Sequence, residues 1–188
     1  MIVTIIYYLG QYGPLILTLL ALYILYGQYH SMYAYLIGLF FNMLFNYILK
    51  GIIQQPRPSE NYNTVLIENQ YKSILNYDRF GMPSGHAQAT MFTTTYLYLV
   101  TLSNKVLAIC ILISLITMFQ RIQYLYHTPT QVLVGSVLGI LVAILTFSYT
   151  KKNKKGRLQP KKDDNYFYCP SFEYCYKVSK VTPLRSSP

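Results

Sequence analysis

Three short clusters hold the residues of this chain whose types and spacing could do chemistry. The first runs from Lys50 to Arg57 and Pro58, reading K-G-I-I-Q-Q-P-R-P. The second is Pro83-Ser84-Gly85-His86. The third runs from Arg121 through His127 to Gln131, reading R-I-Q-Y-L-Y-H-T-P-T-Q. Lys50, Arg57 and Arg121 supply cations for phosphate oxygens, Arg through paired N–H donors and Lys as a point charge. Ser84 and Gly85 would open a helix, where a hydroxyl and backbone N–H groups meet an anion at the positive end of the helix dipole. Gly85 lets the backbone come close to that anion. Two histidines divide the remaining work: one imidazole attacks phosphorus and the other protonates the leaving oxygen, tasks open to imidazole near neutral pH. The chemistry these residues fit is phosphoryl transfer.

The elements that must position them are apolar. Of the 188 residues, 53% are hydrophobic and 12% charged, against about 25% charged in a soluble domain. Residues 1–150 hold six Lys/Arg and three Asp/Glu, and residues 151–188 hold ten and three. The basic balance therefore sits in a tail, which argues against a nucleic-acid-binding domain with a basic folded surface. Five apolar stretches are expected to be helices, near 12–27, 31–50, 84–103, 105–121 and 130–149, each close to the ~20 residues that cross a bilayer. The fold class is all-α, a multi-pass transmembrane bundle over 1–150 with a mobile basic tail over 151–188. Residues 2–9 read as an interfacial helix or an extension of the first span, with Gly10, Gly13 and Pro14 interrupting the pattern. No basic n-region marks a signal peptide. A short interfacial helix is expected over 64–76. Gly135 and Gly139 suit close helix packing. Cys110 reads as a core residue, and the spacing of Cys169 and Cys175 matches no common zinc signature.

Five spans put the tail and the 51–83 connection on opposite sides. Lys105 falls on the tail side, so the charge rule places the tail in the cytoplasm and the three clusters together at the other face. Ionisable groups in a membrane are costly and mark function by default. Plainer readings exist for some. Lys50 could be a snorkelling residue closing its span. His30 reads as interfacial, Lys72 and Arg79 as solvated charge, and Gln88 with Thr93–Thr95 as cavity-lining or as bonding between helices.

The clusters resemble the signature motifs of the type 2 phosphatidic acid phosphatase and vanadium haloperoxidase superfamily: KxxxxxxRP, PSGH and SRxxxxxHxxxD. Lys50, Arg57 and Pro58 match the first, Pro83 to His86 the second, and Arg121 and His127 the third. Gln120 stands for the Ser and Gln131 for the Asp. The resemblance implies that His127 is a nucleophile forming a phosphohistidine. It implies that His86 is the acid for the leaving group, and that Lys50, Arg57, Ser84, Gly85 and Arg121 cradle phosphate. It implies no metal or other cofactor, a lipid phosphate or diphosphate as substrate, and a site at the extracytoplasmic face. The stretches G-M-P-S-G-H-A-Q and Y-H-T-P-T-Q-V are similar to the dolichyl diphosphatase branch. A polyprenyl diphosphate at the endoplasmic reticulum or another internal membrane is therefore the expected substrate. Two alternatives stay open: a phosphatidic acid or other lipid monophosphate phosphatase, and a lipid-phosphate-binding protein weakened or silenced by Gln131. In a bacterium the same reading would mean undecaprenyl diphosphate at the plasma membrane.

Overall fold

The computed structural model describes residues 2–59 and 79–157, which form five helices: α1 (Ile2–Ile24), α2 (Tyr29–Ile53), α3 (Gly85–Thr101), α4 (Asn104–Gln123) and α5 (Pro129–Arg157). No strand occurs among the described residues. The expected interfacial helix at 64–76, Lys72, both tail cysteines and the tail from 158 onward lie outside them. By contacts the chain divides into a unit of Met1–Lys152 and a second of Asn153–Pro188.

Four helices are long and apolar enough to cross a membrane, over Ile6–Ile24, Tyr29–Ile53, Asn104–Gln123 and Pro129–Lys151. The protein is read as integral to a membrane on that ground. α3 has 17 residues and is more polar, because it is the helix the others surround. It packs on α1, α2 and α4. Gly135 and Gly139 bring α5 against the backbone of Ser84 and Gln88, so that a β-carbon at either position would collide. Its polar groups are spent between helices. Thr93 shares a hydrogen bond of 3.0 Å with Tyr35, and Thr94 one of 3.0 Å with Ser114. Gln88 donates to the Asn42 carbonyl and to its Oδ1, at 3.0 and 2.9 Å, and accepts from Asn46 Nδ2 at 2.7 Å. In a low-dielectric interior an unpaired amide is costly, so this fully used set fixes the register of α3 on α2.

α2 buries Ser31, Tyr35, Gly38, Asn42, Asn46 and Lys50, steps of three or four that mark one face. The opposite face shows Phe40, Phe41 and Phe45 to the surroundings. The apolar core is built on Leu17, Ala21, Tyr35, Phe92, Tyr96 and Cys110 among others. Tyr35 lies about 22 Å from Lys50 along α2 at 1.5 Å per residue. The hydrophobic packing thus sits well along the bundle from the charged cluster.

The interruption expected at Gly10, Gly13 and Pro14 is not found, because α1 runs straight through it. The glycines serve packing. A β-carbon at Gly10 would strike the Gln120 side chain, and one at Gly13 the Thr117 side chain. Each helical glycine costs about 1 kcal/mol in propensity, and the close approach of α1 to α4 offsets it. Gly13→Leu is expected to destabilise the bundle by about 1–3 kcal/mol through overpacking. Thermal unfolding in detergent measures this, and an unchanged midpoint would show that α1 is not clamped there.

Candidate active site

Lys50, Arg57 and Arg121 reach one place by three different local devices. Lys50 is in the last turn of α2 and only 3% exposed. The helix stops at Gln54, whose φ of 49° is left-handed and whose N–H bonds Lys50 O at 3.0 Å. The chain therefore leaves the helix axis, and Arg57 returns toward Lys50 instead of continuing past it. Arg121 lies in the last turn of α4, 5% exposed. Past it the chain folds over its carbonyl: the N–H groups of Tyr126 and His127 both bond Arg121 O at 3.1 Å, with Leu125 left-handed at φ 56°. That tight return carries His127 beside the cation and stacks the Arg121 guanidinium on the Tyr126 ring, 5.1 Å from its centroid.

A polar cavity of about 320 Å³ collects them. Lys50, Arg57, Arg121, Gly85, His86 and His127 all line it. Ser84, the residue that caps α3, is fully buried, and its hydroxyl has no hydrogen-bond partner. Its backbone N–H bonds Gln131 O at 3.1 Å. The N–H groups available to an anion at that helix start are thus those after Ser84, not its own. Arg121 Nε is likewise buried without a partner. Two imidazoles among three cations form a donor set for an anion rather than for a metal.

His127 is held in one tautomer. Its Nδ1 lies 2.9 Å from Gly81 O and 3.3 Å from Gln131 Oε1. Both are acceptors, so Nδ1 carries the proton and Nε2 keeps its lone pair. Which way the Gln131 amide points is itself fixed. Its Nε2 donates to Pro56 O at 3.0 Å, and its Oε1 also accepts from the Thr128 N–H at 3.1 Å. Gly81 has to be glycine here, since a β-carbon would sit 2.6 Å from Gln131 Oε1. Burial above all, then the Arg57 and Lys50 cations, push the His127 pKa down from 6.5 to about 4. The ring is neutral at ordinary pH.

Residues 31–155 match the family described as the PAP2 superfamily. The chain belongs to that superfamily. The human protein named Dolichyldiphosphatase 1 is 30% identical over 139 residues, covering 63% of this chain and 52% of its own length. The Saccharomyces cerevisiae protein named Dolichyldiphosphatase is 32% identical over 120 residues, covering 58% and 48%. A Dictyostelium discoideum Dolichyldiphosphatase 1 is 28% identical over 175 residues, covering 80% and 72%. The chain spans about half the length of the human and yeast relatives. No solved structure matches it.

Gln131 stands where the resembled signature has Asp, and it places a carbonyl oxygen toward His127 Nδ1. Several site residues carried no motif. Gly81 supplies the shorter of the two bonds to His127, and only its place before the second cluster hinted at a role. Asn42 and Asn46 are amides one turn apart in an apolar span, ending in Lys50, and they brace α3 through Gln88. Asn46 Nδ2 also bonds Pro83 O at 3.2 Å, locking the second cluster to α2. Gln11, from α1, lines the cavity and accepts from Arg121 Nη2 at 3.0 Å. Its one signal was an amide between two glycines in an apolar run.

A second cavity of about 560 Å³ lies between α1, α2 and α3, walled by Pro14, Leu15, Leu39 and Met43. It shares Gln11, Gly85 and His86 with the polar cavity. Leu15 and Met43 are 55% and 62% exposed, so it opens on a surface that faces lipid.

Proposed function

We propose that the chain is a membrane lipid phosphatase that hydrolyses a polyprenyl diphosphate of the dolichyl type to the monophosphate through a phosphohistidine. The observation that carries this is His127, clamped at Nδ1 by two carbonyl oxygens beside three cations, which makes Nε2 a neutral nucleophile. The relatives' names supply the substrate class. The position of His86 supplies the division of labour. It lines both cavities, at the border between a place for phosphate and a place for an apolar tail. The leaving oxygen, part of the departing lipid monophosphate, belongs at that border, while His127 lines only the polar side.

The terminal phosphate binds among Lys50, Arg57 and Arg121 with the Ser84 hydroxyl and the α3 N-terminus. Its negative charge favours a protonated His86 imidazole. His127 Nε2 donates its lone pair to phosphorus, the bond to the bridging oxygen breaks, and His86 gives that oxygen its proton. The lipid monophosphate leaves. His86, now neutral, takes a proton from water. The hydroxide attacks phosphorus, the P–N bond breaks, and phosphate departs with His127 neutral again. Gln131 serves by geometry, holding the Nδ1 proton away from Nε2. The positive charge that builds on the ring during attack is shared with the Gly81 carbonyl. The site occupies the extracytoplasmic face of an internal membrane, supported by exposed Lys105 and Lys151 at the opposite helix ends.

The His127 pKa is lowered in the folded protein, so its neutral form persists well below 6.5 and is lost only as pH falls through about 4. In Gln131→Glu a carboxylate faces Nδ1–H and raises that pKa. The acid limb of kcat/KM is expected to move up by about one unit or more relative to the parent. With one substrate in both enzymes its own ionisation cancels. An acid limb that stays in place would uncouple residue 131 from the nucleophile.

The reading is tested by phosphate release from dolichyl diphosphate, dolichyl monophosphate and phosphatidic acid by the detergent-purified chain. Preference for the diphosphate is expected. Faster turnover of phosphatidic acid, or no release from any of the three, would defeat it.

A further inference from the structure

Three residues line both cavities, Gln11, Gly85 and His86, and the border they form is called the neck below. A phosphate attached to a lipid tail in the second cavity has to cross that neck. For a monophosphate the crossing is a single ester linkage. For a diphosphate it is the second, lipid-bearing phosphate, whose two non-bridging oxygens share one negative charge and need donors. Lys50, Arg57 and Arg121 are engaged with the terminal phosphate under the reaction proposed above, on which this inference rests. The side chain at the neck not yet given a task is Gln11.

Its geometry suits one. Arg121 has only donors, so the 3.0 Å bond from its Nη2 identifies the acceptor on Gln11 as Oε1 without ambiguity. A carboxamide pinned by its oxygen presents two N–H donors from its nitrogen. Gln11 is therefore tied to the terminal-phosphate cation on one side, and it lines both cavities together with His86. Its depth is set by its neighbours: Gly10 and Gly13 let α1 close on Gln120 and Thr117 of α4, which a larger side chain would prevent. Gln11 lies outside the family-matched region, which begins at residue 31.

We propose that Gln11 is a specificity-determining residue whose side-chain N–H groups bind the lipid-proximal phosphate of a diphosphate substrate at the neck. The discriminated chemistry is a prenyl diphosphate against a prenyl monophosphate of the same chain length.

The test compares kcat/KM for both substrates in the full chain, in Gln11→Leu and in Gln11→Glu. Where the monophosphate binds without being cleaved, its inhibition constant takes the place of its kcat/KM. Loss of a hydrogen bond to a charged group predicts that Gln11→Leu lowers the diphosphate preference by about tenfold or more. Gln11→Glu keeps the length and the Arg121 contact but sets a negative charge at the neck. It is expected to lower the preference at least as far, and it keeps the test open should the leucine variant fail to fold. A residue that only positioned Arg121 would depress both substrates alike, so an unchanged preference in Gln11→Glu overturns the proposal. An active parent with that result sinks the role of Gln11 alone. A parent inactive on the diphosphate sinks the underlying reaction as well.

Discussion

His127→Ala is expected to lower turnover of a polyprenyl diphosphate by on the order of 10⁴-fold or more, with the fold intact. Among the described residues no other nucleophile is poised for the task. The other imidazole at the cavity lies at its lipid-facing border, and the Ser84 hydroxyl has no base bonded to it. The fold survives because the truncation strands little. Gln131 Oε1 keeps the Thr128 N–H and Gln131 Nε2 keeps Pro56 O. Steady-state phosphate release, with binding of inorganic phosphate as the check on the cradle, measures both halves. A variant that still binds phosphate and still turns over within about tenfold of the parent would remove His127 from the nucleophile's role, since that is less than the 10²–10⁴ expected even of a lost acid–base group.

The second large effect belongs to His86. His86→Ala is expected to cost about 10²–10⁴-fold with a lipid diphosphate. With an activated aryl phosphate the leaving oxygen needs no proton, so phosphorylation of His127 should be close to the parent's rate. The water step still lacks its base. The variant should therefore release one equivalent of the phenol per site in a burst and then slow. Equal losses on both substrates, with no burst, would make His86 part of the cradle and not the acid.

The convergence of both histidines on one cavity was legible in the sequence, because motif spacing encodes a meeting at helix ends. Lys50 and Arg57 are separated by a span that a helix end and one left-handed residue can fold back, and Arg121 and His127 by one tight return. The five helices were legible from apolar runs of bilayer length, although α3 owes its place to being surrounded rather than to its own hydropathy. What the pattern hid was the purpose of residues that break it. Gly10 and Gly13 read as interruptions because propensity is local, whereas their function is the distance between α1 and α4. Gln88 could line a cavity or bond between helices, and the choice depended on Asn42 and Asn46, more than 40 residues away in sequence. The exchange of Asp for Gln131 left a weakened or silenced site open as an alternative. The structure shows which property is kept: an acceptor aimed at Nδ1, with its orientation enforced by Pro56 O. A backbone carbonyl, Gly81 O, carries no side-chain signature, so no reading of residue types could have assigned it to the nucleophile.

A bond from His127 Nε2 to phosphorus is a covalent intermediate that can be trapped. The purified chain is mixed with a prenyl diphosphate labelled in its terminal phosphate, quenched in alkali, where phosphohistidine survives, and digested for peptide mapping. Label is expected on the peptide containing His127, at the ring nitrogen remote from Cβ, absent in His127→Ala and increased in His86→Ala with an activated phosphate. Label on another residue, or full turnover with no labelled peptide in either enzyme, would contradict it.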